Sequence, residues 1–555
     1  MIDFSQVTDI TLGSTPVEQV TDSQGNVLWS AVQPVVTDYF YVEDISGSDN
    51  TLSIVKNDAS APTIEVFKST DQENWSSMGT TSDTAITATI PTNGKLYLKA
   101  TADTWLDENM FTYNYINASG AHNVGGNIMS LLYGDNYTNQ TTFPTGSANN
   151  FCYLLSNNTT LISAENLILS ATTLVENCYG NMFEGCTSLT AAPALPATTL
   201  ANFCYSGMFG GCSSLTTAPS LPATTLTYSC YSQMFSGCTS LTAAPALPAT
   251  TLTYNCYGNM FNGCTSLTTS PVLPATTLAT MCYDGMFWGC TSLTTSPALP
   301  ATTLTERCYA SMFNGCTSLT TAPALPATTL ADYCYEYMFA GCTALTTAPA
   351  LPATTLTHSC YSSMFQNCTS LTTAPALPAT TLTNNCYDQM FQNCTSLTTA
   401  PALPATTLAG SCYRSMFWGC TSLTTSPALP ATTLANYCYN NMFYGCTSLT
   451  AAPALPATTL TQSCYYMMFL SCTSLTTAPA LPATTLTTQC YFKMFQGCTS
   501  LNNVTIYANN ISASGCLTDW LYNVSATGDF YNLGGATYPS GGNGIPSGWT
   551  IHTSL

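Results

Sequence analysis

The sequence predicts a multidomain protein in which an all-β N-terminal part is followed by an α/β solenoid of 26-residue repeats. A pattern of 26 residues recurs thirteen times from Cys178 to Cys490, and short alternating apolar runs precede it. Such a period is typical of structures in which each unit packs against its neighbours. The predicted division is an N-terminal anchoring segment (1–36), a β-sandwich (37–116), a linker and repeat cap (117–177), the repeats (178–503) and a C-terminal cap (504–555).

Each repeat reads approximately CYxxMFxGCTSLTTAPALPATTLxxx. The fixed residues of its first part are, in the first repeat, Cys178, Tyr179, Met182, Phe183 and Cys186. Their offsets of 0, 1, 4, 5 and 8 predict the buried face of an α-helix. The next-to-last of these nine positions is Gly in ten repeats, as at Gly185, and otherwise Asn or Ser, which predicts a left-handed residue that ends the helix.

The second part of each repeat is rich in Leu, Pro and Thr. Leu189, Leu195 and Leu200 mark three buried positions in the first repeat. Prolines at 193 and 196 lack the amide donors that a long central strand needs. We therefore expect a short strand around Leu189 to Ala191, an extended crossing, and an array roughly 60 Å long at ordinary strand spacing.

Both ends of the array are predicted to be capped. Residues 153–174 follow the repeat pattern with Asn158 in place of the second Cys. At the other end, Val504 to Tyr507 replace the prolines, Cys516 begins a predicted last degenerate helix, and a Gly-rich tail with Trp549 closes the stack.

The 28 cysteines are expected to form ladders of free thiols. Eight helical residues separate two Cα atoms by about 12 Å, too far for a disulfide within one repeat. Disulfides between repeats are the alternative, but the second column has an odd number of members, thirteen, and every cysteine stands where a small apolar group fits. A metal site is not predicted, because the spacing matches no zinc motif.

The first third of the chain differs in composition from the repeats. Runs such as PTIEVFK, TAITATI and KLYLKAT alternate in polarity and are separated by turn clusters, including Thr92 to Gly94. Short strands at this spacing favour a small immunoglobulin-like β-sandwich. Gly125 and Gly126 lie in the stretch predicted to lead into the array.

Composition argues against several function classes. The chain has 27 acidic and 7 scattered basic residues and a net charge of −20, so nucleic acid and anionic membranes are poor partners. No apolar window is long enough to span a membrane, and the first residues do not resemble a secretory signal. His122, His358 and His552 are the only histidines and no catalytic motif surrounds them, so we expect no enzyme activity and no cofactor.

The variable positions of the repeats carry the candidate binding residues. Aromatic side chains among Asn, Gln and Ser are good recognition chemistry, although drift at solvated positions would produce the same variety. The exposed Thr columns could similarly form an ice-binding array or simply suit β geometry, and the second is commoner. The candidate ligand-binding residues are Phe203, Tyr228, Tyr254, Trp288, Tyr333, Tyr337, Trp418, Tyr437, Tyr444, Tyr466 and Phe492.

An aromatic residue, a Cys three positions later and a Leu after another three, as in Phe183, Cys186 and Leu189, recur through Leu501. This pattern resembles the leucine-rich repeats of the BspA-like bacterial surface family. The resemblance implies a curved α/β solenoid that adheres to host or partner surfaces. The sequence departs from the family in replacing its usual isoleucine-proline strand with an Ala/Thr/Pro segment.

The N-terminal stretch ITLGSTPVEQVTDSQGNVLWS is similar to the first segment of phage tail and virion-appendage proteins. GIPSGWT, at 544–550, resembles the ending of repeat proteins from gut bacteria and their phages. Together these resemblances imply a virion-associated adhesin or tail appendage, bound to virion proteins through its N-terminus and to a cell-surface glycan or protein through the repeats. The alternatives are a bacterial surface adhesin and an architectural virion protein without a ligand; a homo-oligomer is compatible with each.

Overall fold

The computed structural model of the protein describes residues 38–82, 84–105, 112–144 and 148–554. It also gives the backbone of four short strands nearer the N-terminus: β1 (Thr11–Leu12), β2 (Thr15–Pro16), β3 (Gln19–Thr21) and β4 (Val27–Ser30). β1 pairs with β2, and β3 with β4, both antiparallel. The predicted anchoring segment, 1–36, otherwise lies outside the described residues.

Two antiparallel sheets form the N-terminal part. Their strands are β5 (Tyr41–Asp44), β6 (Asn50–Lys56), β7 (Glu65–Ser69), β8 (Ser76–Thr80), β9 (Ile86–Ile90), β10 (Lys95–Ala100), β11 (Asn114–Ala118) and β12 (His122–Asn127). One sheet has the order β12-β5-β10-β7-β8 and the other β11-β6-β9. Alternate residues such as Ile54, Val66 and Leu98 are fully buried in a common core. The all-β prediction is thus confirmed, and its three alternating runs form β7, β9 and β10.

The first sheet continues past residue 116. β12 pairs with β5 because Gly125 and Gly126 leave room for the neighbouring chain: a Cβ on Gly125 would lie 2.3 Å from the Tyr41 hydroxyl. After β12 come α1 (Ser130–Tyr133), the one α-helix in the described ranges, and a 3-10 turn (Gly134–Asn136).

The predicted helix in each repeat is wrong. The segment is a series of tight turns in which every fourth residue has a left-handed backbone, as at Asn177 (φ 54°), Asn181 (φ 52°) and Gly185 (φ 73°). The left-handed prediction for Gly185 is therefore confirmed, but two more such residues precede it. Five positions within nine residues fit periods of 3.6 and 4 about equally well, and the chain follows the period of 4.

Backbone hydrogen bonds explain how these turns hold the array together. The amide of Tyr179 donates to the carbonyl of Cys204 in the next repeat at 3.0 Å, whereas the amide of Gly180 donates locally to the carbonyl of Asn177 at 3.3 Å. Amides alternate between these two destinations along the segment. In an α-helix all of these amides would donate to carbonyls of the same segment. Here alternate amides donate to the next repeat, so the backbone itself joins successive repeats.

The Leu/Pro/Thr part of each repeat forms parallel bridges rather than strands. Ala191 and its equivalents make one column of single-residue bridges, for example Ala243 with Thr269, and Thr199 and its equivalents make a second, for example Thr251 with Thr277. The predicted strand around Leu189 to Ala191 is therefore reduced to one bridged residue. The prolines explain this, because they remove the donors that would extend the ladder.

Fixed side chains form continuous columns inside the array. Met182, Phe183, Leu189 and both cysteines of the first repeat are fully buried, and Leu195 and Leu200 are nearly so. The rings of Tyr179 and Tyr205 lie 5.8 Å apart and those of Phe183 and Phe209 5.4 Å apart, both stacked. A core of this kind exists only when neighbouring repeats are in place.

All 28 cysteines are buried free thiols, in agreement with the prediction. The thiol of Cys212 donates to the carbonyl of Phe183 in the preceding repeat at 3.1 Å, and Cys238 makes the same contact with Phe209. The second cysteine column thus satisfies a buried carbonyl as well as filling space.

Each end of the array carries a regular strand. β13 (Leu161–Ile168) pairs with β12 of the N-terminal sheet, and Ser163 bridges to Ala191. At the other end β14 (Asn503–Ile506), β15 (Gly528–Asn532) and β16 (Trp549–His552) form a parallel sheet. The last helix predicted from Cys516 is also wrong, because Gly515 and Asp519 are left-handed and the turns continue.

Candidate functional site

The variable residues of the repeats lie together on one surface of the array. In the first repeat they are the pairs 176–177, 180–181 and 184–185, which alternate with the buried pairs Cys178–Tyr179 and Met182–Phe183; Glu176 and Glu184 are exposed, whereas Asn177 and Gly180 are buried. We call these pairs and their equivalents, spaced by 26 residues, the variable surface. Its second residue in each pair is left-handed, so the hydrogen-bonded backbone fixes where these side chains point.

All eleven predicted ligand-binding residues lie on the variable surface, but they differ in exposure. Trp288 is 46% exposed, Tyr228 41%, Tyr437 38% and Tyr254 37%. The half-buried ones are Phe203, Tyr333, Tyr337, Trp418, Tyr444, Tyr466 and Phe492.

The aromatic residues form separate patches rather than one continuous strip. Phe203, Tyr228 and Tyr254 form the first, with ring centroids 5.1 and 4.6 Å apart. The Tyr254 hydroxyl lies 3.2 Å from the Met281 sulfur, so this methionine, which the sequence analysis did not select, extends the patch. Two further pairs are Trp418 with Tyr444, at 5.0 Å, and Tyr466 with Phe492, at 4.7 Å.

Ring orientation limits what these patches can bind. The planes of Tyr228 and Tyr254 differ by 9° and those of Tyr466 and Phe492 by 3°, so each ring covers a face of its neighbour. A ring face that is covered by a neighbouring ring cannot stack on a ligand, so these pairs offer fewer free aromatic faces than isolated rings, while their edges and hydroxyls stay available for contacts. In the described part of the chain no ring packs against Trp288, which leaves its indole open for either kind of contact.

The two arginines of the variable surface are paired with acidic residues. Arg307 lies 3.2 Å from Asp284 and 3.3 Å from Glu336, which belong to the turn segments before and after its own. Arg414 makes two hydrogen bonds to the buried carboxylate of Asp388. Burial raises the pKa of the carboxyl groups of Asp284, Glu336 and Asp388, and in each case the arginine opposes that shift. These pairs hold neighbouring repeats in register.

The three histidines lie far apart in the fold. His122 is buried in β12, where Nδ1 lies 3.0 Å from the carbonyl oxygen of Gly120 and Nε2 3.1 Å from the amide of Asn158. His358 lies on the variable surface against Tyr333, and His552 contacts Asp529 in the C-terminal sheet. Within the described ranges no three His, Cys, Asp or Glu side chains are placed to hold a metal ion.

A cavity of about 530 Å³ lies where the N-terminal sheet meets the first repeat. Asp38, Tyr41 and Asn127 line it from one side, and Glu165 and Pro196 from the other. Sequence reasoning missed this cavity because its lining comes from segments that only the β12–β13 pairing brings together.

A comparison with protein families agrees with the repeat pattern. A model described as the BspA type leucine rich repeat region, in six copies, matches residues 160–294, 280–424 and 411–517, which together exceed half of the chain. The chain belongs to the BspA type leucine rich repeat family. No curated protein and no solved structure matches it.

BspA type repeats indicate a role in surface adhesion or protein interaction, and proteins that carry them are typically extracellular or attached to a surface. In the residues that the structure describes, no helix has the length and apolar character needed to cross a bilayer. The family match begins at residue 160, so the resemblance of residues 1–36 to phage appendages stays a prediction.

Proposed function

We propose that this protein is an adhesin whose variable surface binds a protein on a cell surface. The observation that carries the proposal is the contrast within each repeat: the positions that form the buried columns are fixed, while the outward pairs vary and include exposed Tyr and Trp. Large aromatic residues on a rigid surface give much contact area at low entropic cost. Stacking of the rings on each other favours a protein over a glycan as partner, with Trp288 as the residue open to either.

We further propose that the repeats form a solenoid, that the N-terminal sheets form an immunoglobulin-like spacer, and that the whole is carried on the virion of a phage of gut bacteria. Support for the virion is the resemblance of residues 1–36 to tail appendages. A bacterial surface location is the alternative, and the family favours it. Immunogold electron microscopy with antibody to the repeats distinguishes them by labelling either virions or the bacterial envelope.

A binding assay with the full chain tests recognition. Tyr228→Asn, Tyr254→Asn and Trp288→Asn are combined, because Asn202 and Asn262 already occupy the same columns and show that the fold accepts Asn there. The control combines Thr224→Asn, Thr250→Asn and Thr276→Asn, which are exposed residues in repeats 2 to 4 that do not belong to the variable surface.

The labelled protein is applied to panels of gut bacterial strains and cultured epithelial cells, and binding is measured by flow cytometry. Truncation of one interface aromatic costs about 1 to 2 kcal/mol, so the triple aromatic variant should bind at least about tenfold more weakly, while the threonine control should bind like the parent chain. Absence of binding by the parent chain to every cell type would reject recognition in favour of the architectural role.

A further inference from the structure

A second exposed surface of the array is apolar and free of charge. It consists of Ala194 and Pro196 in the first repeat and their equivalents, through Ala480 and Pro482 in the twelfth, and we call it the Ala/Pro face. All twelve residues of the first column are exposed, as are ten of the twelve prolines; Val272, which takes the alanine position in one repeat, is 80% exposed.

Charge is excluded from this face and from its borders. No Asp, Glu, Lys or Arg occurs between residues 187 and 199 or at any equivalent position in the twelve repeats, although the chain carries a net charge of −20. Exposed threonines flank the face on both sides, at Thr190 and Thr198 in the first repeat. An apolar centre with an uncharged polar rim has the composition of a protein interface.

The face also varies less than the variable surface of the same repeats. The exposed proline column is Pro in all twelve repeats, and the alanine column changes only at Ser220 and Val272. On the variable surface of the same repeats most columns differ from one repeat to the next, apart from the glycine-rich column of Gly185. Exposure alone therefore does not account for the constancy of the Ala/Pro face.

The face is ridged, and the ridges recur with the repeat. Ala324 and Pro326 form one ridge, and a groove of about 310 Å³ separates them from Ala350 and Pro352. An equivalent groove of about 440 Å³ lies between residues 374–378 and 401–404. Because the residues that form these ridges recur every 26 residues, the surface best matched to this face is the same face on another copy of the chain.

The available area is sufficient for a stable dimer. The eleven apolar residues of the first column and the ten exposed prolines together present on the order of 1,000 Å², compared with about 800 Å² contributed by each partner in a typical specific interface. A monomer seldom leaves a contiguous apolar patch of this size in water. We propose that two copies of the chain associate through their Ala/Pro faces, which share no residue with the variable surfaces.

Sedimentation velocity of the full chain tests this proposal between about 1 and 100 μM. We expect a reversible species of twice the 58.8 kDa chain mass. The disrupting variant combines Ala324→Glu, Ala350→Glu and Ala376→Glu, which places charges on three neighbouring ridges. It should remain monomeric at every concentration, with an unchanged thermal unfolding midpoint because the replaced alanines are exposed.

Two matched variants separate the face from general charge effects. Ser236→Glu, Asn262→Glu and Asn314→Glu add the same charge to the variable surface, in the column where Glu184 occurs naturally, and should still dimerise. Ala324→Ser, Ala350→Ser and Ala376→Ser imitate Ser220 and should dimerise as well. A monomeric parent chain at 100 μM, or a ridge variant that dimerises normally, overturns the proposal. So does a ridge variant that loses binding to cells without any change in mass, since the face would then belong to a different partner.

Discussion

Replacing Arg414 with Met tests whether the charges of the variable surface hold the repeats in register. Asp388 and Arg414 come from successive repeats, and the arginine donates from Nε to Oδ1 at 3.0 Å and from Nη2 to Oδ2 at 2.5 Å. The Asp388 side chain is only 5% exposed, whereas that of Arg414 is 42% exposed. Arg414→Met keeps much of the aliphatic packing but leaves a buried carboxyl group without its cation.

Protonation of Asp388 limits how much unfolding free energy the Arg414→Met variant can lose. Burial raises the pKa of the Asp388 carboxyl group above its ordinary value of 3.8, and Arg414 counteracts this shift. In the variant the carboxyl can escape its unpaired charge by taking up a proton. From the ordinary value of 3.8, that step costs at most about 4 kcal/mol at pH 7 and below about 2 kcal/mol at pH 5. Since water reaches the arginine, we expect about 1 to 3 kcal/mol at pH 7.

Urea unfolding at pH 7 and pH 5 measures this difference. A raised folded pKa means that the folded chain binds the proton more tightly than the unfolded chain, so the variant should recover stability relative to the parent as the pH falls. The double variant Arg414→Met, Asp388→Asn should recover the lost stability at both pH values. Lys493→Met should lose less than about 1 kcal/mol because its partner Asp519 is 40% exposed. An equal loss for Arg414→Met at pH 5 and pH 7 would refute this reasoning.

Three further predictions follow from the repeat backbone, the thiols and the junction with the N-terminal sheet. Gly289→Val should lower the unfolding free energy by about 2 kcal/mol or more, because the φ of 70° at this position disfavours β-branched residues, whereas Gly289→Asn should cost less than about 1 kcal/mol. Equal losses in urea titrations would contradict the requirement for a left-handed backbone at this position. Burial raises the pKa of the Cys212 thiol well above its usual range, so iodoacetamide at pH 8 should react with the end residue Cys516 before it reacts with Cys212 in the folded chain. Peptide mass spectrometry measures the two rates, and equal rates would mean that the repeats open readily. Burial lowers the pKa of His122, so the stability that the neutral imidazole contributes is present above pH 6.5 and is lost as the pH falls through the pKa of the folded state. His122→Gln should therefore reduce the decline in melting temperature between pH 7 and pH 5. An unchanged decline would exclude this residue as its cause.

The sequence predicted which residues are buried better than it predicted the backbone that buries them. Tyr179, Met182 and Phe183 were correctly placed inside, because burial depends on repeated apolar positions. A signal for the correct backbone was nevertheless present: the columns of Asn177 and Asn181 contain no Val, Ile or Thr in thirteen repeats, as left-handed conformations require. An α-helix would have imposed no such exclusion at both columns.

The residues of the candidate site could be predicted from the sequence, but the orientation of their rings could not. All eleven aromatic residues were found from their variable columns, yet whether a ring offers its face depends on the side chain in the next repeat. Tyr254 stacks on Tyr228, whereas Trp288 has the smaller Asn262 and Asn314 in the adjacent repeats of its column. The periodicity of the sequence does not show which ring faces are covered, because these contacts form only when the repeats stack.

The prolines explain why the array is long and yet has regular strands only at its ends. β13 and β14 occupy the position that the Ala/Pro segment has in the repeats, and both lack proline, so their ladders extend over eight and four residues. Each of these strands is paired on its outer side, β13 with β12 and β14 with β15. Between them, prolines limit the backbone pairing of the Leu/Pro/Thr segments to single bridges. In a repeat exposed by partial unfolding, this segment therefore offers few free donors to another chain. Regular ladders are thus confined to the two places where the fold covers them, while the turns and side-chain columns, which require the correct neighbour, join the repeats in between.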